Sequence, residues 1–156
     1  MFVGNGFDIH KHSKGENLIL GGIRVDGDGF EAHSDGDIVL HSLCDALLGS
    51  KAKKDLGYYF PSDETTPKGI SSVDMLNKVL EIIEIDKLKI NNVDITVLSQ
   101  VINISKISDN ICSNLAKLLN IEKTVINVKG KSFDHLGVIG DGTASACMAL
   151  VSVDNA

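Results

Sequence analysis

Two side chains near the N-terminus have the types and the spacing of metal ligands. Asp8 and His10 lie two residues apart in a segment that predicts a β-strand, so both side chains point to the same face. His41, on a predicted helix, could join them. One carboxylate and two imidazoles suit zinc with one coordination position left open, which is the arrangement of catalytic zinc sites. The alternative is a polar pair at a strand end that binds no metal.

A second group of polar residues, His-Ser-Asp-Gly-Asp at positions 33–37, directly precedes that helix. Asp37, His41 and Asp45 are spaced four residues apart, so they lie near one helical face. A carboxylate one turn from His41 could hold the second ring nitrogen of a metal-bound imidazole. Polar residues of this segment could instead only cap the helix. The free N–H groups of the helix N-terminus would also favour a nearby phosphate.

A third candidate segment, Lys129–Gly137, follows a predicted strand. Its glycines allow a ligand to approach the backbone closely, and Ser132 and Asp134 could serve a phosphate bound with a metal ion. The Gly-Lys-Ser sequence is not a P-loop, because the first glycine of that motif would fall at Val125.

Composition excludes several classes of protein. The 156 residues include 15 basic and 21 acidic side chains, a net charge of −6, and Arg24 is the single arginine. This balance argues against a nucleic-acid-binding face and against a polybasic membrane anchor. It also disfavours an anionic ligand unless something other than side-chain cations neutralises it. No apolar run reaches 18 residues, and the three cysteines show no C-x-x-C spacing, which favours buried thiols in a reducing compartment.

Hydrophobic periodicity and turn residues predict the elements that must position these side chains. Residues 1–13 and 17–25 predict a β-hairpin that turns at residues 14–16, and residues 60–69, with both prolines, predict a long loop. Helices are predicted over residues 37–49, 72–84 and 108–119, and further strands over residues 90–100, 124–129 and 142–153.

This order of elements predicts one domain over residues 1–156 with an α/β fold, an α+β sandwich in which helices pack on one face of a mixed sheet. The other face must also be covered. Because the strands are rich in Val, Ile and Leu, we expect another subunit to cover it, and therefore an oligomer.

Several motifs together resemble one enzyme family. They are Gly4-x-Gly6-Phe7-Asp8-x-His10, then Ala32-His33-Ser34-Asp35-Gly36-Asp37-x-x-x-His41, then Asp45-Ala46-Leu47-Leu48-Gly49. Asp55-x-Gly57-x-x-Phe60-Pro61, Lys68-Gly69-x-x-Ser72, Asn92-Val93-Asp94, Asn127-Val128-Lys129 and Leu136-Gly137 follow in order. Over essentially its whole length, the chain resembles the 2-C-methyl-D-erythritol 2,4-cyclodiphosphate synthase family.

The resemblance implies a homotrimer with three active sites at subunit interfaces. It implies a phosphorus–oxygen lyase that cyclises 4-diphosphocytidyl-2-C-methyl-D-erythritol 2-phosphate and releases CMP, in non-mevalonate isoprenoid biosynthesis. No nucleic-acid or membrane partner is expected. The expected location is a bacterial-type cytoplasm, or a plastid if a transit peptide has been removed.

The resemblance also implies roles for individual residues. Asp8, His10 and His41 would bind one zinc ion per subunit, and Asp134 would hold a second divalent ion, Mg²⁺ or Mn²⁺, through the substrate phosphates. His33 and Ser132 would stabilise the transition state. The residues implied to contact substrate are Asp8, His10, His33, Ser34, Asp55, Leu56, Gly57, Phe60, Ser62, Asp63, Glu64, Lys131, Ser132 and Asp134.

Three points stay open at this level. Either of two other functions would use the same residues: a metal-dependent phosphohydrolase acting on a nucleotide diphosphate substrate, or a non-catalytic trimeric nucleotide-binding protein. Which of Ser62, Asp63 and Glu64 contacts the ligand is undecided. Asp141 stands where many members of the family have an arginine that meets anions in the cavity on the trimer axis, so isoprenoid diphosphate binding there is an open question.

Overall fold

The fold was analysed in a computed structural model that describes residues 1–156. Its strands are β1 (Phe2–Leu20), β2 (Ile23–Phe30), β3 (Leu88–Leu98), β4 (Ile126–Lys131) and β5 (Ala144–Asn155). Its α-helices are α1 (Ile38–Ser50), α2 (Leu56–Tyr59), α3 (Ser72–Ile82), α4 (Ser108–Leu119) and α5 (Gly137–Gly140). None of the helices is long and apolar enough to cross a membrane.

The five strands form one mixed sheet in the order β2-β1-β5-β3-β4. Only β3 and β4 run parallel, and the other neighbours are antiparallel. The helices and the inner face of the sheet enclose a core of 31 buried residues. The predicted α/β fold class with a mixed sheet is confirmed.

Helix α1 packs unusually close to β1 because of two glycines. A Cβ atom added to Gly4 would lie 1.9 Å from the carbonyl oxygen of Ala46, and one added to Gly6 would lie 2.0 Å from that of Ser42. No larger residue fits between these backbones. The glycines of the N-terminal motif therefore bring the strand that carries Asp8 and His10 against the helix that carries His41.

The predicted hairpin turn at residues 14–16 is wrong. Strand β1 continues to Leu20, and the chain turns at Gly21 and Gly22, whose φ angles are +61° and +77°. Two consecutive positive φ angles fit a tight hairpin turn, and glycine adopts them without strain. Residues 14–16 lie instead where the register between β1 and β2 shifts, and Gly15 has a φ of +87°. Residues 14–16, whose composition is typical of a turn, therefore form a β-bulge.

Asp37 joins the hairpin turn to the N-terminus of α1. Its buried carboxylate accepts hydrogen bonds from the N–H groups of Gly21 (2.9 Å), Gly22 (2.6 Å), Val39 (3.0 Å) and Leu40 (3.0 Å). Burial raises the pKa of Asp37 to about 6, although the hydrogen bonds from the backbone oppose this rise. One side chain thus fixes the turn between β1 and β2 relative to α1.

Replacing Asp37 with alanine is expected to lower the free energy of unfolding by about 3 kcal/mol, because it removes a helix cap and leaves buried N–H groups without acceptors. Urea unfolding followed by circular dichroism measures the change. Asp74→Ala, which removes an exposed carboxylate from the first turn of α3, is the control and should change stability by less than about 0.5 kcal/mol. Equal effects of the two substitutions would contradict this explanation.

The outer face of the sheet carries large apolar side chains that are about half exposed. Val3, Phe7 and Ile9 on β1 and Met148 and Leu150 on β5 form this outer apolar face. An exposed patch of this kind is typical of a contact surface. The expected covering by another subunit stays a prediction at this point.

Candidate active site

Asp8, His10 and His41 come together as the sequence predicted. Asp8 Oδ2 lies 3.0 Å from His10 Nε2 and 3.0 Å from His41 Nδ1. The potential ligand atoms of the three residues all lie within 4.8 Å of one another. Since zinc binds nitrogen and oxygen ligands at about 2.0–2.2 Å, one ion can reach all three atoms with a small adjustment of the side chains.

The electrostatics of this group favour a charged carboxylate. Burial opposes the negative charge of Asp8, but hydrogen bonds and charge interactions with His10 and His41 outweigh burial and lower the pKa of Asp8 below its ordinary value. The hydrogen bond that His10 donates to Asp8 raises the pKa of His10, although burial opposes that rise. Asp8 therefore supplies a negative charge, which is what a cation in this position requires.

Both imidazole rings are oriented by contacts on the side away from Asp8. His10 Nδ1 lies 3.1 Å from the carbonyl oxygen of Glu31. Because a carbonyl only accepts, Nδ1 carries a proton. Nε2 faces Asp8, and loss of the proton that it donates there would free its lone pair for a metal ion.

His41 is oriented by a relay that ends at a carboxylate. Its Nε2 lies 2.9 Å from Ser72 Oγ and 3.2 Å from Ser34 Oγ. The hydroxyl of Ser72 donates to Asp35, whose other oxygen accepts a hydrogen bond from the backbone N–H of Ser72 (3.0 Å). Since the Ser72 proton is used on Asp35, Nε2 donates to Ser72 and Nδ1 is left to bind a metal.

Neither carboxylate one helical turn from His41 holds its second ring nitrogen. Asp37 caps α1, and Asp45 accepts a hydrogen bond from the N–H of Leu56 (2.6 Å). Asp35 takes the role indirectly, through Ser72. Helical spacing could not show this relay because Ser72 begins α3 and reaches His41 only through tertiary packing. The signal available in the sequence was that Ser72 is part of the Lys-Gly-x-x-Ser motif.

Replacing Ser72 with alanine is expected to weaken zinc binding by about 10–100-fold, because the orientation of a metal-bound imidazole depends on its outer hydrogen bond. Competition with a chromophoric chelator measures zinc affinity. Ser71→Ala is the matched control: Ser71 caps α3 through the N–H of Val73 and does not touch His41, so it should change stability and leave zinc affinity unchanged. Equal zinc affinities of the two variants would show that the relay is unimportant.

Asp8, His10 and His41, called the metal group below, open on a cavity of about 230 Å³. The predicted residues that line it with Asp8, His10 and His41 are His33, Ser34, Leu56, Gly57, Phe60 and Ser62. His33 Nε2 lies 2.8 Å from the carbonyl oxygen of Thr66, so it donates to the long loop and the loop holds the ring in place. Thr66, Ile70 and Met75 also line the cavity, and sequence reasoning missed them.

Six of the predicted substrate residues lie outside this lining, and three of them belong to the segment between α1 and α3. Asp55 caps α2 through the N–H of Tyr58 (3.1 Å). Asp63 accepts hydrogen bonds from the backbone N–H and the hydroxyl of Thr65, which lower the pKa of the Asp63 carboxyl. Glu64 is exposed. Of the three loop residues left open by the sequence, Ser62 is the one that faces the cavity.

The remaining predicted residues lie at the end of β4, the edge strand farther from the metal group. Lys131 and Ser132 line a second cavity of about 340 Å³ with residues 99–105 and Gly130. Asp134 is exposed, and Ser132 Oγ lies 3.4 Å from Asp134 Oδ1. In the register of the sheet, Asp8 on β1 lies opposite Cys147 on β5. Cys147 lies opposite Val97 on β3, and Val97 lies opposite Gly130 on β4. Three strand spacings of about 4.8 Å therefore separate the metal group from the strand of Ser132, about 14 Å within one chain.

Comparison with known proteins agrees with this combination of fold and metal group. The YgbB family matches residues 1–154. The chain belongs to the YgbB family. Similar proteins include 2-C-methyl-D-erythritol 2,4-cyclodiphosphate synthase of Fusobacterium nucleatum, 38% identical over 152 residues, with 96% of this chain and 95% of that protein covered. The synthase of the same name from Halothermothrix orenii is 36% identical, with coverages of 97% and 92%.

Some relatives in the YgbB family are longer. The bifunctional enzyme IspD/IspF of Aliarcobacter butzleri is 39% identical, and the match covers 97% of this chain but 41% of that protein. Among solved structures, bifunctional IspDF from Campylobacter jejuni superposes with a TM-score of 0.93 at 31% identity, covering 99% of this chain and 42% of that one. IspF of Plasmodium falciparum in complex with CDP gives a TM-score of 0.85 at 37% identity, covering 99% and 96%.

Proposed function

We propose that this protein cyclises 4-diphosphocytidyl-2-C-methyl-D-erythritol 2-phosphate to 2-C-methyl-D-erythritol 2,4-cyclodiphosphate and releases CMP, a lyase reaction of non-mevalonate isoprenoid biosynthesis. The observation that carries the proposal is the Asp8, His10 and His41 group opening on a cavity with His33 and Ser34. Membership of the YgbB family and the CDP complex of the Plasmodium relative support it. The bacterial sources of the sequence relatives support a cytoplasmic location.

The donor set fits one zinc ion per subunit. Asp8 supplies a negative charge. The contact with Glu31 orients the imidazole of His10, and the contact with Ser72 orients that of His41, so each ring can present a nitrogen to the ion. Zinc bound there would act as a Lewis acid toward a phosphate oxygen in the open position. Asp134 would hold a second divalent ion, Mg²⁺ or Mn²⁺, together with the phosphates of the nucleotide. Metal ions would thus neutralise an anionic substrate in a chain whose own net charge is −6.

The proposed reaction needs no protein nucleophile. An oxygen of the 2-phosphate forms a bond to the β-phosphorus of the diphosphate, and the bond from that phosphorus to the bridging oxygen breaks as CMP leaves. Both partners are anionic, so the protein must hold them in line and stabilise the charge that moves. His33 and Ser132 would stabilise the charge on the phosphate groups in the transition state. Positioning of the two phosphates and stabilisation of the moving charge would each lower the activation free energy by several kcal/mol.

The cavity at the metal group and the cavity at residues 99–105 and 130–132 would bind different parts of the substrate. Ser34, Leu56, Gly57, Phe60 and Ser62 would hold the methylerythritol phosphate near the metal group. The second cavity, at residues 99–105 and 130–132, would take the cytidine nucleotide largely through backbone groups. Recognition of cytosine through the loop backbone would not depend on the side chains of Ile102 and Asn103.

The working form would be a homotrimer with active sites between subunits. Two observations support it: the residues predicted for one site lie at two cavities about three strands apart in a single chain, and the outer apolar face is about half exposed. A neighbouring copy would bring its Ser132 to the metal group of the first. Light scattering should give a mass of about three times the 16.7-kDa subunit, and a monomer would contradict this part of the proposal.

Product analysis tests the reaction itself. The protein is incubated with the cytidine substrate, zinc and magnesium, and the products are identified by mass spectrometry. The expected products are the cyclic diphosphate and CMP. A linear phosphate product would indicate a phosphohydrolase, and CDP binding without turnover would indicate a non-catalytic protein. Turnover that survives complete removal of divalent metals by a chelator would contradict the metal-dependent reaction.

A further inference from the structure

A series of hydrogen bonds crosses the sheet from β1 to the loop after β3. His12 Nε2 lies 2.8 Å from Ser145 Oγ, and Ser145 Oγ lies 2.8 Å from Ser99 Oγ. Ser99 Oγ accepts hydrogen bonds from the backbone N–H groups of Val101 (3.3 Å) and Ile102 (3.1 Å). The series of bonds therefore begins two residues after the metal ligand His10 and ends in the backbone of the second cavity.

The environment of these groups makes the hydrogen bonds important. Ser145 is completely buried and Ser99 is 6% exposed, so neither hydroxyl can exchange its protein partner for bulk water. The ring of His12 is held from both sides: Nδ1 lies 3.0 Å from the carbonyl oxygen of Asp28, and the ring packs against that of Phe30, with centroids 4.6 Å apart and the planes tilted by 34°. A rigid ring thus fixes the Ser145 hydroxyl, which in turn fixes that of Ser99.

Besides this network, the loop is held by the hydrogen bond from the N–H of Ser99 to the carbonyl oxygen of Lys131 (3.0 Å) and by packing of Ile102 against the core. Residues 99–103 lie outside the helices and strands, and Val101 is 61% exposed. Such a segment can change conformation easily unless side chains hold its backbone. A binding loop held in its bound conformation avoids the entropic cost of ordering when the ligand arrives.

We propose that His12, Ser145 and Ser99 are positioning residues that hold this loop in the conformation that binds the nucleotide. The inference rests on the proposed function, because that function assigns the cavity of residues 99–105 and 130–132 to the cytidine nucleotide. None of the three residues touches the substrate in this account. They act through the backbone of Val101 and Ile102.

Ser145→Ala tests the proposal because it breaks the series of hydrogen bonds at its buried centre with the loss of one oxygen atom. Amide exchange at Val101 and Ile102 is expected to rise about tenfold, and the dissociation constant for CDP, measured calorimetrically with zinc and magnesium present, is expected to rise about tenfold. Zinc affinity should stay within about twofold, because the metal ligands keep their own hydrogen bonds. Ser152→Ala, on the same strand and outside the network, should match the unaltered protein.

A second variant distinguishes a shared network from separate effects. His12→Phe keeps an aromatic ring against Phe30 and removes both ring nitrogens. Combined with Ser145→Ala, it should weaken CDP binding no further than Ser145→Ala alone, because both substitutions break the same series of bonds.

Each remaining outcome decides between the two proposals. Unchanged loop exchange or unchanged CDP affinity in Ser145→Ala would overturn the positioning role. Failure of the unaltered protein to bind CDP would overturn the proposed function instead, and amide exchange at Val101 and Ile102 would still decide whether the network holds the loop.

Discussion

Replacing His41 with alanine is expected to abolish zinc binding and to reduce turnover by about 10³-fold or more, because several kcal/mol of charge stabilisation at the phosphate would be lost. The fold should persist, since His41 is one residue of a helix whose other buried positions are mostly apolar. Metal analysis of the purified protein, steady-state kinetics and circular dichroism measure the three properties. A variant that keeps both zinc and turnover would refute the assignment of the metal group.

His41→Cys provides the matched comparison. The ligand atom of cysteine lies one bond nearer the backbone than Nδ1 of histidine, and the longer bond of zinc to sulfur, about 2.3 Å against 2.0–2.1 Å, partly compensates. We therefore expect His41→Cys to retain zinc more tightly than His41→Ala. Equal loss of zinc in both variants would mean that position 41 contributes by packing rather than as a ligand.

Mixing two inactive variants should restore activity if each site is shared between copies. His41→Ala damages the metal side of a site, and Ser132→Ala damages the side that a neighbouring copy would bring. After random reassembly of a 1:1 mixture, about a quarter of the sites would have His41 from one subunit and Ser132 from the next. Turnover should therefore recover to about a quarter of the unaltered level, measured after the mixture is unfolded and refolded together.

The control mixture combines His41→Ala with Asp8→Ala. Both residues belong to the metal group of the same chain, so no assembly of these two variants contains an intact group. This mixture should stay inactive. Recovery in the control, or no recovery when Ser132→Ala is mixed with His41→Ala, would show that the site is not divided between subunits in this way.

Spacing along the chain was enough to predict the metal group and most of the elements. Asp8 and His10 share a strand face because side chains alternate along any strand, and periodicity placed α1, α3 and α4 within about two residues. The hairpin turn was misplaced because Lys-Gly-Glu at residues 14–16 has the composition of a turn. The chain turns instead at Gly21 and Gly22, because Asp37, about fifteen residues further along the chain, accepts hydrogen bonds from the N–H groups of both glycines.

The sequence by itself determined the fold class, the donor types of the metal group, and the motifs that the chain shares with its family. These are local properties, set by residue type and by periods of two or 3.6 residues. Only the tertiary structure decided that Asp35 reaches His41 through Ser72, that Ser62 rather than Asp63 or Glu64 faces the cavity, and that Ser132 lies three strands from the metal group. Those relations join residues on different elements, and the packing of helices on the sheet, not spacing along the chain, fixes them.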